Sequence, residues 1–552
     1  MQNSQSNKSS YGELFTLLIS LSIALKLFFV FYSKTIVSDA AFYATAAKNV
    51  LSSHWYTLPG LDKPHFMFWV QALFFKIFGI DASAYILSGV VFTLIGIYYT
   101  YLLAKFLYNK NTAILATVIC LNSMYIILGA EDIKAEAYIL GSLIPAIYYF
   151  IRYHLDSKTS NLILGSIFSA MAIMTKGIFL FGSSLSGIVI LLIYSRNFKQ
   201  IFSKKWLVAY LLIWILTIPE FVALYIQYGM NGIDFFAWSG SFGRFFGFGT
   251  FNPDYSTLPF LDRAYKYISM FFALLIGFLP WTLFLLYPLI KIRNEFKNRV
   301  ETTPNTLSPP QKSVYLLGLL IPTLIVFSCS KVLNNYYVTI LIPYLSILTA
   351  MAINELVLDQ TRHYHQPFKA LLYFCIGLAI AVAIASIALG IIIKSTIILI
   401  SGIVAIFLYA IFWQQKNLAI RAIALLCIAI NVYTMADIST RQQFYQQYDP
   451  SYALCKYLDT LAPHPIYLYK FDIERAGLYT KDPMIYTDNL QALPPKPFYL
   501  VIPERKIDGF NQAKLNYAPL IRLPYRDYPF PTFGDILSHN VEFDYMQIVL
   551  VK

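Results

Sequence analysis

Asp39, Asp62 and Lys63 lie within one stretch, Lys34 to Trp69, that follows the first long apolar run, Leu14 to Tyr32. Ionisable groups beside a membrane face are costly unless they are used, so two acids and an ammonium here point to a polar site and not to a connector. Asp39 precedes AFYATAAKNVL, which reads as a short helix lying along the interface. Asp62-Lys63-Pro64 then turns the chain into the aromatic run FMFW. A second cluster, GAEDIKAEAYIL at 129–140, carries Glu131, Asp132, Lys134 and Glu136, and Asp132 and Glu136 are spaced i,i+4 as on one helix face. The simpler reading of these acids is a solvated helix start, where the dipole favours negative charge. A third, DFFAWSGSFGRFFGFGTFNPDYSTLPFLDRAYKYI at 234–268, holds Trp238 and Arg244 in a Gly- and Phe-rich loop that could do no more than dip into the membrane. A fourth, SCSKVLNNYYVTILIPYLSIL at 328–348, holds Ser330, Lys331, Tyr337 and Pro343, although a Lys at a helix end commonly just snorkels.

The elements that must position these groups follow from composition. With 58% hydrophobic residues, 13% charged residues and a mean hydropathy of +0.58, the 552-residue chain cannot form an ordinary soluble domain. It reads as a polytopic α-helical membrane protein. Thirteen spans are expected, at about 12–33, 82–107, 111–128, 136–152, 161–175, 177–195, 206–226, 267–290, 313–330, 335–356, 368–393, 396–413 and 418–436. No small-residue cleavage site follows the first run, which is therefore a retained helix, and Val70 to Gly79 is short enough to be interfacial or re-entrant. At Lys176-Gly177 the alternative to two helices is one long kinked helix.

Lys and Arg near helix ends mark the cytoplasmic side. With the N-terminus inside, Lys105, Arg152, Arg196, Lys204, Lys291, Arg299, Lys369 and Arg421 all fall on inner loops, and the four clusters fall outside. The net charge of +13 is thus a topology signal and does not call for nucleic acid. Residues 437–552 form a separate outer segment after membrane domain 1–436. Its β-type runs at 465–470, 497–503 and 546–552, with a helical run at 451–461, predict a small α/β domain. Cys120, Cys329, Cys375 and Cys427 fall in spans as packing residues and Cys455 alone is extramembrane; no CxxC or Cys/His zinc pattern is present. With all four clusters on one face, Lys63, Arg244 and Lys331 could hold a phosphate, the Arg as a fork and the Lys as point charges.

The motifs also resemble a known family: the polyprenyl-phosphate-dependent (GT-C) glycosyltransferases of the protein O-mannosyltransferase-like type, including the lipid A aminoarabinose transferases. There Asp-Glu-x-Arg-Tyr-Ala-Glu is followed by Glu-Lys-Pro-Pro-x-x-Tyr-Trp; here the two read DAAFYAT and DKPHFMFW, with Phe42 at the Arg and Asp62 at the Glu. Asp132 matches an Asp that opens a later helix in the family. Trp238, Arg244 and Phe245 match Phe-Trp-Glu-Glu-His-x-x-Arg-Phe, whose two acids and His become Ser239, Gly240 and Ser241. Ser330, Lys331, Tyr337 and Pro343 match Ser-Lys-x-x-Leu-Pro-Thr-Tyr-x-x-Pro.

The resemblance implies transfer of a sugar, an amino sugar first among the candidates, from an undecaprenyl-phosphate donor to lipid A or another periplasmic acceptor at the outer face of a bacterial inner membrane. It implies Asp39 and Asp132 as catalytic residues, Lys63, Arg244 and Lys331 on the donor phosphate, and Tyr43, Asp62, Glu131 and Tyr337 on the substrates. The family's metal-binding His is Ser241 here, so no metal or other cofactor is expected. A protein or glycan hydroxyl is the alternative acceptor, with Asp39 then acting as a base. From a different class, a transporter or flippase would also use intramembrane charges, but the chain shows no internal repeat and its charges cluster at one face.

Overall fold

The computed structural model describes residues 2–33, 36, 39–58, 60–129, 132–243, 260–297, 306–330, 334–358, 366–448, 451–470, 476–480, 484–489, 497–507, 516–525 and 544–552. In lipid a backbone must satisfy its own polar groups, so the long apolar runs are helical. The first part comprises α1 (Gln2–Tyr32), α2 (Asp39–Ser52), α3 (Phe66–Phe78), α4 (Ala82–Leu107), α5 (Lys110–Leu121), α6 (Met124–Leu128), α7 (Ala135–Asp156), α8 (Thr159–Lys176) and α9 (Phe179–Tyr194). Longer helices follow at Lys204–Tyr228, Pro309–Cys329, Gln366–Ile392, Thr396–Trp413 and Leu418–Tyr448.

The protein is a multi-pass membrane protein, and each of the thirteen expected spans falls on a helix, but the count itself is not reproduced. Among the described residues eight helices are long and apolar enough to cross a membrane, or nine with the bent pair Ile268–Gly277 and Trp281–Phe296 taken as one span. The run at 111–128 breaks at Asn122-Ser123, the one at 267–290 bends by 101°, and α9 has 16 residues. Both breaks meet at one place, where they satisfy each other. Trp281 Nε1 donates to the Asn122 carbonyl at 3.0 Å, the Met124 amide donates to the Leu279 carbonyl at 3.0 Å, and Asn431 and Ser22 both donate to Asn122 Oδ1, at 2.8 and 3.0 Å. The chain does divide at Lys176. Gly177 has φ +127°, a conformation side chains rarely adopt, and a Cβ on it would sit 2.8 Å from Ser241 Oγ.

Helices α4 and α7 pack by backbone approach: a Cβ at Gly96 would lie 2.7 Å from the Leu140 carbonyl oxygen, and one at Gly141 2.5 Å from that of Phe92. Above this contact Tyr85 donates to the Ile133 carbonyl at 2.6 Å, which fixes the turn that enters α7. The first outer loop is tied to helix Lys204–Tyr228. Buried Glu220 receives the His65 amide at 3.0 Å and faces its Nδ1 at 2.8 Å, while Gln227 exchanges two hydrogen bonds with the backbone of Leu58 at 2.8 and 2.7 Å. Helix α3 then closes the loop as a 13-residue apolar helix.

The last long helix runs unbroken to Tyr448, so the expected boundary at Asp437 falls inside it. Beyond it a five-stranded sheet forms from β1 (Ile466–Tyr469), β2 (Met484–Thr487), β3 (Phe498–Pro503), β4 (Tyr517–Tyr525) and β5 (Asp544–Val551), in the order β2-β1-β3-β5-β4. The β1 pairings are parallel, and β5 is antiparallel to β3 and β4. Strands β2 and β4 have no counterpart among the expected runs because both are edges: β2 is largely exposed and β4 carries Pro519 and Pro524, which an edge tolerates. Helix Ala476–Tyr479 packs against α2, where Lys48 donates to the Thr480 carbonyl. Cys455 is buried, and Cys329, expected to be a packing residue, is exposed.

The distribution of basic residues predicts which ends are reachable. In a Cys329→Ser background, a thiol reagent that cannot cross the membrane should label Ala462→Cys in intact spheroplasts and spare Lys199→Cys, both positions being exposed. Cys455 should stay unlabelled in either case. Labelling in the reverse order would invert the orientation.

Candidate functional site

Asp39 opens α2, and its Oδ2 receives the Tyr336 hydroxyl at 3.1 Å. Tyr336 belongs to the 3-10 turn Asn335–Leu341, so this bond joins the first and fourth sequence clusters. The Tyr336 ring in turn carries the Lys134 ammonium, 4.0 Å from its centroid, and Lys134 pairs with Asp132 at 2.8 Å. One helical turn along α2 from Asp39, buried Tyr43 packs edge-on against Phe68 with 5.9 Å between centroids. Lys63 lies 5.8 Å from the Tyr43 centroid and pairs with Asp62 at 2.8 Å. Burial holds the Tyr43 phenol far above its usual range, reinforced by the negative charges of Asp62 and Asp39.

Beneath this row lies a fully buried ion pair. Glu136, on the first turn of α7, receives Lys176 from the last turn of α8, and the two side chains are 6% and 5% exposed. The Lys176 ammonium also sits 3.4 Å from the centroid of Tyr337. Glu136 and Lys176 are forty residues apart and meet because α7 and α8 pack along their lengths.

These groups border a chamber of about 200 Å³ lined by Asp132, Lys134, Glu136, Asn335, Tyr336 and Arg441. Asp132 Oδ1 and Glu136 Oε2 are buried there without a hydrogen-bond partner. Burial raises the Asp132 carboxyl above the usual carboxylate range, against the opposing pull of Lys134. Two carboxylate oxygens with open acceptor capacity, beside ammonium and phenol donors, suit a polar ligand with hydroxyl groups and negative charge.

Of the residues singled out in the sequence, Asp39, Tyr43, Asp62, Lys63, Asp132 and Tyr337 converge here. Glu131, Arg244 and Lys331 lie outside the described residues. The i,i+4 reading of Asp132 and Glu136 is corrected: α7 starts at Ala135 and Lys134 is extended at its N-cap, so Asp132 belongs to the preceding turn. Both acids still reach the chamber, Asp132 through the loop and Glu136 through the helix. Sequence reasoning passed over Lys176, Tyr336 and Arg441 as site residues. For Lys176 a signal existed, a cation between two apolar runs, but it was read as a helix break.

A zinc ion, which the family's His helps to bind, does not fit the described side chains. At the His position, the Ser241 hydroxyl is buried, receives the Ile178 amide at 3.2 Å and donates to the Phe236 carbonyl at 2.9 Å. His65 has both ring nitrogens against oxygen acceptors, Glu220 at 2.8 Å and the Tyr56 carbonyl at 3.0 Å, and Asp62 holds Lys63. Among the described residues no group of three or more His, Cys, Asp or Glu side chains gathers.

This arrangement can be set beside known proteins. Residues 62–222 match the profile of the dolichyl-phosphate-mannose-protein mannosyltransferases. The crystal structure of ArnT from Cupriavidus metallidurans bound to undecaprenyl phosphate superposes with a TM-score of 0.70 at 15% identity, covering 97% of each chain. This chain has the fold of ArnT. The apo state of the same ArnT gives a TM-score of 0.70 at 14% identity, again over 97% of both chains. An uncharacterized protein of Aquifex aeolicus is 27% identical over 217 residues, which are 37% of this chain and 42% of that relative's length.

A buried pair broken on one side leaves an uncompensated charge, at about 3–5 kcal/mol. Lys176→Met should therefore lower the thermal unfolding temperature in detergent sharply, and Glu136→Gln combined with Lys176→Met should recover much of the loss. Equal stability of the single variant and the wild type would remove the pair from its structural role.

Proposed function

We propose that this protein transfers a sugar from an undecaprenyl-phosphate donor to lipid A or a related acceptor at the periplasmic face of the bacterial inner membrane. The observation that carries this reading is the polar chamber beside Asp39 in a fold shared with a transferase that binds undecaprenyl phosphate. An acceptor phosphate oxygen attacks the anomeric carbon while the bond from that carbon to the lipid phosphate breaks, and the electron pair leaves with undecaprenyl phosphate. Such an acceptor is ionised near neutral pH and needs no strong base. Asp39, held by the Tyr336 hydroxyl, offsets positive charge that develops on the sugar ring, and Lys63 stabilises the departing phosphate, joined by Arg244 and Lys331. Asp132, which lines the chamber, would contact the sugar there.

Asp39→Asn preserves size and removes charge. It should leave expression and undecaprenyl phosphate binding near wild type while lowering turnover about 10²–10³-fold, the usual cost of one preorganised charged group. Near-full turnover by that variant in a reconstituted transfer assay would reduce Asp39 to a helix cap. Because the donor set does not suit zinc, transfer should also survive EDTA; loss that zinc restores would mean that ligands beyond the described residues bind a metal.

A further inference from the structure

Arg441 reaches the chamber from the last long helix, far in sequence from the four clusters and outside the matched residues 62–222. Asp437, one turn earlier, aligns it: Arg441 Nε donates to Oδ1 at 3.1 Å, and Nη2 lies in ion-pair contact 2.9 Å from Oδ2. Lys134 also lines the chamber, 16% exposed, with its ammonium on the Tyr336 ring. Lys134 pairs with Asp132 at 2.8 Å, and Asp132, Lys134 and Arg441 all line the one chamber. Lys63 is not among the residues that line this chamber; it lies over Tyr43, 5.8 Å from the ring centroid. Lys134 and Arg441 thus line the chamber without Lys63, as two distinct phosphate sites would require.

We propose that Lys134 and Arg441 form a second anion subsite that binds the acceptor's phosphate, apart from the donor phosphate at Lys63. Each cation already has a carboxylate neighbour, but a phosphate carries up to two charges on three oxygens and can bridge both cations, which neither Asp132 nor Asp437 does. Asp437 is a positioning residue here, and Arg441 an acceptor-binding one. The inference rests on the transferase reading, yet binding tests it without turnover.

The protein in nanodiscs of zwitterionic lipid would be titrated with lipid A and with the same lipid stripped of its phosphates. Wild type should bind the phosphorylated form about 10- to 100-fold more tightly, the range for charge-assisted hydrogen bonds. Arg441→Ala should erase most of that preference, Arg441→Lys should restore part of it, and Asp437→Asn should fall between. Lys63→Ala should keep the preference while weakening undecaprenyl phosphate binding. Arg441 is 43% exposed, so its variants should unfold at the wild-type temperature. Equal binding of the two lipids by wild type, or an unchanged preference in Arg441→Ala, overturns the subsite. A preserved, Arg441-dependent preference without any sugar transfer would sink the transferase reading and leave the subsite standing.

Discussion

The buried contact of Glu136 with Lys176 is the constraint on which the chamber depends. Desolvating two charges is expensive, and their attraction repays it only when the geometry is held and further contacts satisfy the remaining atoms. Here α7 and α8 bring the pair together, Tyr337 covers the ammonium, and Glu136 keeps one oxygen toward the chamber. The pair fixes three pieces of chain at once: the start of α7, the end of α8 and the turn at Asn335–Leu341. Gly177 then lets the chain leave Lys176 without a side chain, so that Ser241 can close against it.

The first outer loop is held by a different device. Among the described residues between α2 and α3 few regular backbone hydrogen bonds form, and helix Lys204–Tyr228 supplies Glu220 and Gln227 as substitutes for a neighbouring strand or helix. His65, locked between Glu220 and the Tyr56 carbonyl, stacks on Trp69, whose Nε1 donates to the Trp55 carbonyl at 2.6 Å. This rigid corner fixes where the preceding Asp62-Lys63 pair stands. The C-terminal domain adds a second hold on the same loop through Lys48 and Thr480, which couples the sheet to the helix that begins with Asp39.

The polar groups are consistent in sign and partner across the site. Lys63 has Asp62, Lys134 has Asp132, Lys176 has Glu136 and Arg441 has Asp437. A chamber near lipid cannot keep bare cations, and each carboxylate lowers that cost while leaving ammonium or guanidinium protons available to a phosphate.

Composition and hydropathy by themselves determined the class, the helical character of each long apolar run and the presence of a small α/β domain, because a lipid-exposed segment has no alternative to a helix and short β-branched runs after the last span have no apolar length to cross. Local motifs also determined that Asp39, Asp62, Lys63 and Asp132 belong to polar ground, since ionisable residues at a membrane face rarely lack a use. The breaks at Asn122 and Leu279 were not legible, because each is satisfied by the other across more than 150 residues. The edge strands β2 and β4 were hidden by exposure and Pro. Tertiary structure alone decided that Lys176 meets Glu136, that Tyr336 donates to Asp39 and that Arg441 lines the same chamber as Asp132, for pairing between distant charges is set by which helix ends pack together and leaves no periodic trace along the chain.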